Sequence, residues 1–486
     1  MTVLNQSLTG ASFDLSPNWA NICWPEVYSQ VKRMQVRIAK AICEKRYGKA
    51  KALQRLLSTS FNAKLLAVKK VTENRGGKTP GVDQVIWKSP QEKMEAVYTL
   101  KRRDYTTLPL RRIYIPKRNG NKRPLSIPTM KCRAMQALHL LGLEPIAETL
   151  ADRNSYGFRT KRSTADAKVQ CFNLLSRKVS PQWILEGDIK SCFDKIKHDW
   201  LLANIPMDKV ILNKWLTAGY LEDGGLHPTD EGTPQSGIIS PCILIMTLKG
   251  LESAIHSATK RSDKVNVVTY ADDFIVTGAS KEVLEQKVKP AIQAFLLERG
   301  LELSEEKTKI THIDEGFDFL GFNVRKYKEK LLIKPAKRQI KEFLANIRNL
   351  INKNKTARVE ILIRQINPKI RGWANYFRHA VSKIAFRYVD HHIYQMLWRW
   401  AVRRHPKKGK RWIKKKYFAT LKNDHWMFYS NYVDKDKKSS RLYLCKAGRT
   451  LIKRHIKIRA EANPYDPKYK DYFTQREIRK QKAGSG

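Results

Sequence analysis

The segment 267–276 reads Val-Val-Thr-Tyr-Ala-Asp-Asp-Phe-Ile-Val, in which two apolar runs enclose a pair of adjacent acids. This pattern predicts a tight β-hairpin that carries Asp272 and Asp273 at its tip. Desolvation of two neighbouring carboxylates is unfavourable unless a cation compensates, and carboxylate oxygens are ligands that suit Mg²⁺. Aspartate is also common in turns, so the pair by itself leaves a purely structural role open.

A further acid follows another apolar strand. Residues 184–188, Ile-Leu-Glu-Gly-Asp, predict a strand that ends at Asp188, which we expect to meet Asp272 across a sheet. Two divalent ions bridged by such carboxylates activate a primer 3′-hydroxyl and stabilise the leaving pyrophosphate during phosphoryl transfer. Helical stretches lie between and after these strands, and this mixture predicts an α+β fold.

The charge balance of the chain indicates a polyanionic partner. The 94 Lys and Arg residues outnumber the 45 Asp and Glu residues, which gives a formal net charge of +49. Such a surface predicts binding to nucleic-acid phosphates that weakens with salt and does not depend on base sequence. Histones and ribosomal proteins share this charge, but a packaging protein has no use for paired carboxylates within apolar strands.

Cysteine usage and hydropathy indicate the cellular compartment in which the protein resides. The seven cysteines form no Cys-x-x-Cys pair and no Cys/His cluster of zinc-ligand spacing, so we expect reduced thiols. No stretch is long and apolar enough to span a bilayer, and the first residues lack the features of a signal peptide. We therefore expect a soluble, intracellular protein that has no membrane partner.

Other segments have recognisable periodicity. Residues 29–75 predict basic amphipathic helices, whose cations either bind nucleic acid or simply face solvent. Residues 112–128 predict a basic β-hairpin with an Asn-Gly turn, and the stretch beyond Pro335 has a helical stripe of apolar residues. After residue 403, aromatic residues interleave with cations, which favours a separate nucleic-acid-binding module.

Four ordered motifs in the chain resemble those of group II intron-encoded reverse transcriptases. They are the Tyr-Ala-Asp-Asp box, Asp-Ile-Lys-Ser-Cys-Phe-Asp at 188–194, Gly-Thr-Pro-Gln-Ser-Gly-Ile-Ile-Ser-Pro at 232–241, and Ile-Pro-Lys at 115–117 with Arg-Pro-Leu-Ser-Ile-Pro at 123–128. The resemblance extends from near residue 60 to near residue 400 and includes Arg-Gly-Trp-Ala-Asn-Tyr-Phe at 371–377.

The resemblance implies a right-hand polymerase of the α+β class, with an antiparallel sheet in fingers and palm. The implied domains are a basic helical N-terminal extension at 1–85, fingers and palm at 86–332, a helical thumb or maturase X domain at 333–402, a basic DNA-binding domain at 403–470 and a flexible tail at 471–486. Only Cys445 lies in the region where some relatives carry paired cysteines of a zinc-supported endonuclease. We therefore expect no second-strand cleavage by this chain.

The same resemblance implies the residues of the site. The catalytic acids that hold two Mg²⁺ ions, or Mn²⁺ as a substitute, are Asp188, Asp272 and Asp273. The residues that bind the incoming dNTP are Lys117, Arg123, Ile189 through its main-chain carbonyl, Phe193 as the barrier to a 2′-hydroxyl, and Gln235. From the residues alone, the hairpin cations also fit a template backbone, and Phe193 also fits an ordinary core position.

Template and primer have their own implied contacts, at Gly76, Gly77, Arg159, Tyr270, Lys307, Leu320 and Gly321. The loop 76–83 resembles the family's template-contacting loop, which also helps acceptor strands bind for template switching. It is not a Walker motif, because Gly77-Lys78-Thr79 is followed at once by Pro80 and lacks the first glycine.

These roles imply an RNA-directed DNA polymerase of a mobile intron that also acts as a maturase in splicing and in retrohoming by target-primed synthesis. Its implied partners are the intron RNA, an RNA template with a DNA primer, target DNA and dNTPs. Two alternatives stay open. One is an RNA-binding splicing cofactor with a vestigial polymerase site, and the other is a domesticated reverse transcriptase that serves defence or repair.

Overall fold

The computed structural model describes residues 18–116, 120, 122–234, 236–422, 424–433 and 439–482. Its first part is helical, with α1 (Trp24–Cys43), α2 (Tyr47–Thr59), α3 (Phe61–Thr72), a 3-10 turn (Arg75–Lys78) and α4 (Pro90–Thr99). The predicted amphipathic spacing is present in α1, where Val27, Val31 and Ile38 are buried. These side chains share one core with buried residues of α2 and α3.

A β-hairpin opens the next region, as predicted for residues 112–128. β1 (Leu110–Pro116) pairs antiparallel with β2 (Lys122–Ile127), and residues 117–119 and 121 between them lie outside the described residues. The helices α5 (Met130–Leu150) and α6 (Thr164–Leu175) follow. Because α5 is buried along most of its length, it joins the N-terminal helices to the rest of the molecule.

The chain then contributes β3 (Trp183–Asp188) to a central sheet and leaves it for a long excursion. The excursion contains α7 (Cys192–Lys195), α8 (His198–Asn204), α9 (Lys209–Leu216), the short strands β4 (Tyr220–Glu222) and β5 (Gly225–His227), α10 (Ser240–Thr247) and α11 (Leu251–Ser257). β4 pairs parallel with β1, so the first hairpin belongs to a sheet of order β2-β1-β4-β5.

The central sheet is completed by three more strands. β6 (Asn266–Tyr270) and β7 (Asp273–Gly278) form a hairpin, and β8 (Lys309–His312) follows α12 (Lys281–Val283), a π-helical turn (Leu284–Val288) and α13 (Lys289–Leu297). The sheet is antiparallel with the order β6-β7-β3-β8. Pro290 lies at the start of α13 directly after the π-helical turn.

The two faces of the central sheet belong to two different cores, because successive side chains of a strand point to opposite sides. Leu185 and Val267 pack in the core that contains the N-terminal helices and α5. Their neighbours Ile184 and Val268 pack in the core that contains the C-terminal half of the chain. The sheet is therefore held from both sides, and its strand ends are fixed supports for side chains.

The C-terminal half is mainly helical. A small sheet of β9 (Phe317–Phe319), β10 (Phe322–Tyr327) and β11 (Lys330–Pro335) precedes α14 (Lys337–Lys353), α15 (Val359–Phe377) and α16 (Lys383–Arg404). The predicted stripe is present in α14, whose buried residues are Phe343, Leu344, Ile347 and Ile351. After α17 (Lys410–Tyr417), a sheet of β12 (Phe418–Leu421), β13 (Asp424–Val433) and β14 (Ser439–Tyr443) and an extended stretch, the chain ends in α18 (Lys470–Lys482). Of the helices described, none has the length and apolar character needed to cross a bilayer.

The last helix corrects the prediction of a flexible tail at 471–486. α18 reaches Lys482, and its Arg476 is only 3% exposed because Nη2 donates to Asp166 Oδ1 at 2.9 Å. The same carboxylate oxygen lies 2.9 Å from His455 Nε2 and accepts from the Ile458 amide at 2.8 Å. The prediction fails for 471–482 because a buried ion pair, and not an apolar stripe, holds this helix. Residues 483–486 lie outside the described residues.

Candidate active site

Three carboxylates meet at one end of the central sheet. Asp188 ends β3 and Asp273 begins β7, and the two residues are direct partners in the antiparallel register of these strands. Tyr270 pairs with Asp273 across the β6–β7 hairpin, so Ala271 and Asp272 form its two-residue turn. Opposed residues in an antiparallel pair have Cα atoms about 4.5–5.5 Å apart. The expected meeting of Asp188 with the hairpin acids is confirmed by this register.

Close backbone approaches shape the hairpin tip. Ala271 adopts a left-handed conformation with a φ of 58°. A Cβ on Gly157 would lie 2.1 Å from the Ala271 amide nitrogen, and a Cβ on Gly187 would lie 2.2 Å from the Phe274 ring. Both positions therefore need glycine, because only a residue without a side chain lets these neighbours pack directly against the acidic end of the sheet.

The carboxylates repel one another. Loss of solvent, followed by the charges of Asp272 and Asp188, raises the pKa of Asp273 to about 6. Burial, with a smaller contribution from Asp188, also raises the pKa of Asp272, although the positive charges of Arg123 and Lys307 oppose this rise. Clustered acids with raised pKa values are typical of a site where a bound cation completes the charge balance.

The donor set fits a hard divalent cation, although the side chains do not enclose one as they lie. Carboxylate oxygens are the ligands that Mg²⁺ prefers in proteins. Among the described residues, no group of three His, Cys, Asp or Glu side chains is arranged to hold a metal ion. Instead, the Lys307 Nζ atom donates to Asp188 Oδ2 at 2.7 Å. Metal binding at Asp188 therefore competes with a cation of the chain itself.

Ile189 presents its backbone next to the acids. The bridge between Ile189 and Leu303 is closed by the hydrogen bonds Ser304 N to Asp188 O and Lys190 N to Glu302 O. In this kind of antiparallel pair the central residue's own carbonyl points away from the partner strand. The Ile189 carbonyl therefore takes no part in the bridge, which agrees with its expected role as a main-chain ligand.

Phe193 lies one turn further along, in α7. It is half-buried, and its ring meets the edge of the Phe158 ring at a centroid distance of 6.4 Å. The start of α7 is close to the acids. The pKa of Cys192 there is raised by burial first and then by the charges of Asp272 and Asp188. Phe193 is thus a partly exposed aromatic residue beside the carboxylates and not a fully buried core residue.

Phe158 is a neighbour of the site that is absent from the predicted residues. It is 51% exposed and has a φ of 56°, and a bulky residue in this left-handed region is a true outlier. Gly157, which packs against Ala271, fixes its backbone on one side. In the sequence it is marked only by its place directly before Arg159, one of the residues implied for template contact.

Arg123 is within electrostatic reach of the acids. It lies exposed on β2 opposite Ile115, and its charge is one of those that oppose the rise of the Asp272 pKa. Two other residues predicted for dNTP binding, Lys117 and Gln235, lie outside the described residues. Ser236 is held against the hairpin, because its Oγ donates to the Ser126 carbonyl.

The glycine-rich loop forms a 3-10 turn that is tied to α5. Arg133 Nη1 donates to the Gly76 carbonyl at 2.9 Å, and Nη2 donates to the Thr79 carbonyl. Gly76 is exposed, and its template contact stays a prediction. Gly77 is buried, and a Cβ there would lie 2.6 Å from the Thr72 carbonyl oxygen. The predicted template contact of Gly77 is wrong, because its surface faces α3.

Arg159 is also buried, so its predicted template contact is wrong. Its Nε and Nη2 atoms each donate to a Glu148 carboxylate oxygen at 2.8 Å, and Nη1 donates to the carbonyls of Asp152 and Ser155. The side chain is 3% exposed. A cation in a basic chain suggests a phosphate ligand, but the Arg159 guanidinium is paired with the Glu148 carboxylate on α5. Arg159 instead braces the turn that carries Phe158.

Leu320 and Gly321 border a cavity at the helical part of the chain. Both have positive φ values, 50° and 77°, and form the turn between β9 and β10. Tyr376 of α15 donates its hydroxyl hydrogen to the Leu320 carbonyl at 2.8 Å. With residues of α14 and α15 they line a cavity of about 510 Å³. Tyr270 is half-buried and, like Leu320, packs against the core that contains the C-terminal half of the chain.

Three family models match the chain in order. "N-terminal domain of reverse transcriptase" matches residues 19–100, "Reverse transcriptase (RNA-dependent DNA polymerase)" matches 115–324, and "Group II intron, maturase-specific domain" matches 340–418. The chain is also 31% identical over 318 residues to Protein YkfC of Escherichia coli (strain K12), which covers 55% of this chain and 82% of that protein. The chain belongs to the group II intron reverse transcriptase/maturase family.

A second relative of this reverse transcriptase/maturase is itself named as an intron-encoded protein. The group II intron-encoded protein LtrA of Lactococcus lactis subsp. cremoris is 30% identical over 329 residues, which are 54% of each chain. The chain thus spans about half the length of LtrA. A structure of telomerase from Candida albicans in complex with a telomeric RNA fragment has a TM-score of 0.38 at 13% identity and covers 65% of each chain.

The family matches agree with the geometry of the site. The three acids all lie within the matched reverse transcriptase region, and α14 to α16 lie almost wholly within the matched maturase-specific region. The chain therefore carries an RNA-directed DNA polymerase domain followed by a maturase-specific domain. The predicted family, and a mixed α+β polymerase domain, are confirmed.

Proposed function

We propose that this reverse transcriptase/maturase polymerises DNA on an RNA template, with Asp188, Asp272 and Asp273 as its catalytic carboxylates. The observation that carries the proposal is the register of β3 and β7, which opposes Asp188 to Asp273 and leaves Asp272 at the adjoining turn. Strand ends that are packed on both faces hold these groups with little freedom, as positioning in phosphoryl transfer requires.

We assign two Mg²⁺ ions to the carboxylates, with Mn²⁺ as a possible substitute. When bound, the ions would supply Lewis-acid activation of the primer 3′-hydroxyl and charge neutralisation at the phosphates. The chain's own part is to hold three anionic groups together against their mutual repulsion. Lys307 neutralises Asp188 before a metal ion binds, and Lys307 is then free to turn to the nucleic-acid backbone.

For the incoming dNTP we propose a surface made by Arg123, Ile189 and Phe193. The Arg123 guanidinium stabilises negative phosphate oxygens while charge develops on them. The Ile189 carbonyl, which the bridge to Leu303 leaves unused, is a further oxygen ligand beside the acids. The Phe193 ring stands where a ribose 2′-hydroxyl would collide with it. Lys117 and Gln235 complete this part of the proposal.

For template and primer we propose a path that passes Tyr270 and the turn of Leu320 and Gly321 and enters the cavity beside α14 and α15. Gly76 and Lys307 contact the strands at its edges. Residues 86–332 then act as fingers and palm, 333–402 as thumb and maturase domain, and 1–85 as a template-contacting extension. The region 403–470 binds DNA.

We further propose that the protein binds its parent intron RNA to promote splicing, and then target DNA for retrohoming by target-primed synthesis. The net charge of +49 supports the holding of several polyanions at once. The family match to a maturase-specific domain supports the intron RNA in particular. The bacterial cytoplasm, where RNA and DNA lie together, is the proposed place of action.

Primer extension on poly(rA)/oligo(dT) with Mg²⁺ tests the polymerase assignment. We expect robust synthesis by the wild type and a loss of about a thousandfold or more in Asp272→Ala, because metal ligands provide several kcal/mol of transition-state stabilisation. Glu315→Ala, which removes an exposed acid from the same half of the chain, is the matched control and should retain full activity.

The outcome also separates the rival functions. Undetectable synthesis by the pure wild-type protein, or synthesis that Asp272→Ala leaves unchanged, would favour the splicing cofactor with a vestigial polymerase site. A domesticated enzyme would polymerise normally but would lack a neighbouring ribozyme, so sequencing of the adjacent DNA for a group II domain V distinguishes it from an intron-encoded protein.

A further inference from the structure

A cationic pocket lies on the maturase-specific domain, away from the acids. α14, the turn that follows it and α16 enclose a volume of about 500 Å³. We call it the arginine pocket, and its charged lining residues are Arg348, Lys355, Arg399, Arg403 and Arg404. Its apolar lining includes Trp400. All of these residues lie within the region 340–418 that matches the maturase-specific family model.

The floor of the arginine pocket is held by contacts within the chain. Trp400 is 5% exposed, and its Nε1 atom donates to the Asn354 carbonyl at 3.0 Å. Arg404 stacks on the Trp400 ring at 4.6 Å from its centroid and donates to the Ala357 carbonyl. These contacts hold the turn between α14 and α15 against α16.

The rim of the pocket is different, because three of its cations have no partner among the described residues. Arg348, Arg399 and Arg403 are exposed, and in the part of the chain that the structure describes they make no hydrogen bond, ion pair or ring contact. The sequence offers them no acid nearby, since residues 391–423 and 343–359 contain neither Asp nor Glu. Guanidinium groups gathered around one concave surface repel each other until an anion binds.

The arginine pocket and the cavity beside Leu320 lie on opposite faces of α14. Gln339, Phe343 and Asn346 line the cavity, whereas Arg348, Ile351 and Asn352 line the arginine pocket. At about 100° per residue these two sets point roughly 170° apart around the helix. A strand that lies along the cavity therefore approaches α14 from the side opposite to the arginine pocket.

We propose that the arginine pocket binds phosphate groups at a sharp bend in the backbone of a folded RNA, as a site separate from the polymerase cleft. Arginine forks match phosphate oxygens with two parallel hydrogen bonds each. A recessed site with cations on several sides suits a backbone that turns into it, as in RNA loops and bulges, whereas a straight duplex presents its phosphates along a regular convex edge.

An aromatic platform adjoins the pocket and supports RNA as the ligand. The Trp412 ring packs at 4.8 Å from the His405 ring, which follows Arg404 directly, and Trp412 is 38% exposed. Lys408 and Lys416 lie over the same ring. An exposed indole between cations can stack an unpaired base next to a bound phosphate. The inference rests on the proposed function that this protein binds its intron RNA, and it names the surface involved.

The test compares two double variants of the full-length protein that each remove two exposed cations. Arg348→Ala/Arg399→Ala changes the pocket, and Lys260→Ala/Arg261→Ala is the control on a remote loop of the polymerase domain. Binding of a fluorescent bulged RNA hairpin is measured over a KCl series, and primer extension on poly(rA)/oligo(dT) is measured in parallel. A matched DNA duplex serves as the second binding probe.

We expect the pocket variant to weaken RNA binding by roughly tenfold or more and to lower the slope of log Kd against log salt by roughly 1 for each phosphate that the variant no longer neutralises. Primer extension and DNA-duplex binding should stay within about twofold of wild type, since neither uses this face. Because Asp272→Ala abolishes synthesis without touching this surface, failure of the polymerase assignment and failure of the pocket assignment give different results.

Other outcomes overturn the inference. If the control variant weakens RNA binding equally, the pocket contributes only general positive charge and is not a specific site. Equal loss of DNA-duplex binding would assign it to duplex backbones, and a parallel loss of primer extension would place it in the polymerase cleft. If the double variant does not fold, Arg399→Gln, which keeps a long polar side chain on the rim, is measured against Arg261→Gln with the same criteria.

Discussion

Replacement of Arg476 by Met should release the last helix from the body of the protein. Arg476 is 3% exposed and donates to Asp166 Oδ1, to the Ile456 carbonyl at 3.0 Å and to the Lys161 carbonyl at 3.3 Å. Methionine preserves most of the side-chain volume and removes all three bonds. The Asp166 carboxylate, which is completely buried, then loses its arginine partner.

The size of the effect follows from what Asp166 retains. Removal of one partner from a buried ion pair destabilises by about 3–5 kcal/mol. Asp166 still accepts from the Ser163 hydroxyl at 2.7 Å and from the Ile458 amide at 2.8 Å, so the loss should fall near the lower end. A loss of about 3 kcal/mol corresponds to roughly a hundredfold increase in the population of the opened state.

Hydrogen exchange of the α18 amides measures this opening directly, because it reports local unfolding without requiring the whole chain to unfold in one step. The matched control is Arg479→Met on the exposed side of the same helix, which should leave exchange unchanged. Exchange in the Arg476→Met protein that equals wild type, or that equals the Arg479→Met protein, would refute the buried ion pair as the attachment of this helix.

Four further outcomes are expected. Burial alone raises the pKa of Asp166, but its hydrogen bonds, the one with His455 first, lower this pKa to about 2. The attachment of α18 should therefore keep its full strength above pH 3.8 and weaken as the pH falls through about 2. Hydrogen exchange of the α18 amides at low pH measures this loss. The pKa of Asp273, raised to about 6 chiefly by loss of solvent, means that protons compete with metal below that pH, so Mn²⁺ affinity measured by titration should fall by up to about tenfold for each lower pH unit. Gly187→Ala places a Cβ 2.2 Å from the Phe274 ring and should abolish primer extension while it destabilises the central sheet, measured by thermal unfolding. Phe158→Ala removes the ring that supports Phe193 and should lower discrimination against ribonucleotides by about threefold to tenfold, the usual value of an aromatic pair, in single-nucleotide incorporation assays.

Each of these outcomes has a clear contradiction. Exchange of α18 that accelerates already near neutral pH, or Mn²⁺ affinity that is flat below pH 6, would show that the carboxyl concerned does not titrate as its surroundings require. Wild-type extension by Gly187→Ala would mean that the sheet tolerates the side chain. For Phe158, the matched control is Phe172→Ala, an exposed aromatic on α6, and equal loss of discrimination in both would remove Phe158 from the site.

The acidic site was predictable because it lies on a strand pattern with strict alternation. Val267 and Val268 belong to opposite cores, so a slip of one residue would move both to the wrong face, and the hairpin register is fixed by this penalty. The same argument fixes β3 through Ile184 and Leu185. Once both registers are set, the acids at the strand ends must lie at the same end of the central sheet.

Two of the errors concern arginines whose acid partners the sequence does not reveal. Arg159 bonds Glu148 across a turn, and Arg476 bonds Asp166 across 310 residues. No periodicity of apolar residues marks such pairs, and in a chain with 94 cations each arginine resembles a phosphate ligand. The arginine pocket could not be predicted from the sequence either. Its rim arginines can be recognised as unpaired, among the described residues, only after the structure has assigned partners to the other cations.

The most direct test of the shared acidic site is a count of Mn²⁺ ions bound to the protein with a primer-template and a non-hydrolysable dNTP analogue, measured by electron paramagnetic resonance. The account predicts two ions with spin-spin coupling in the wild type, and loss of the coupled signal in Asp188→Asn and in Asp273→Asn alike. A wild-type protein that binds no coupled pair, or an Asp188→Asn protein that retains the pair, would contradict the claim that these carboxylates serve one common metal site.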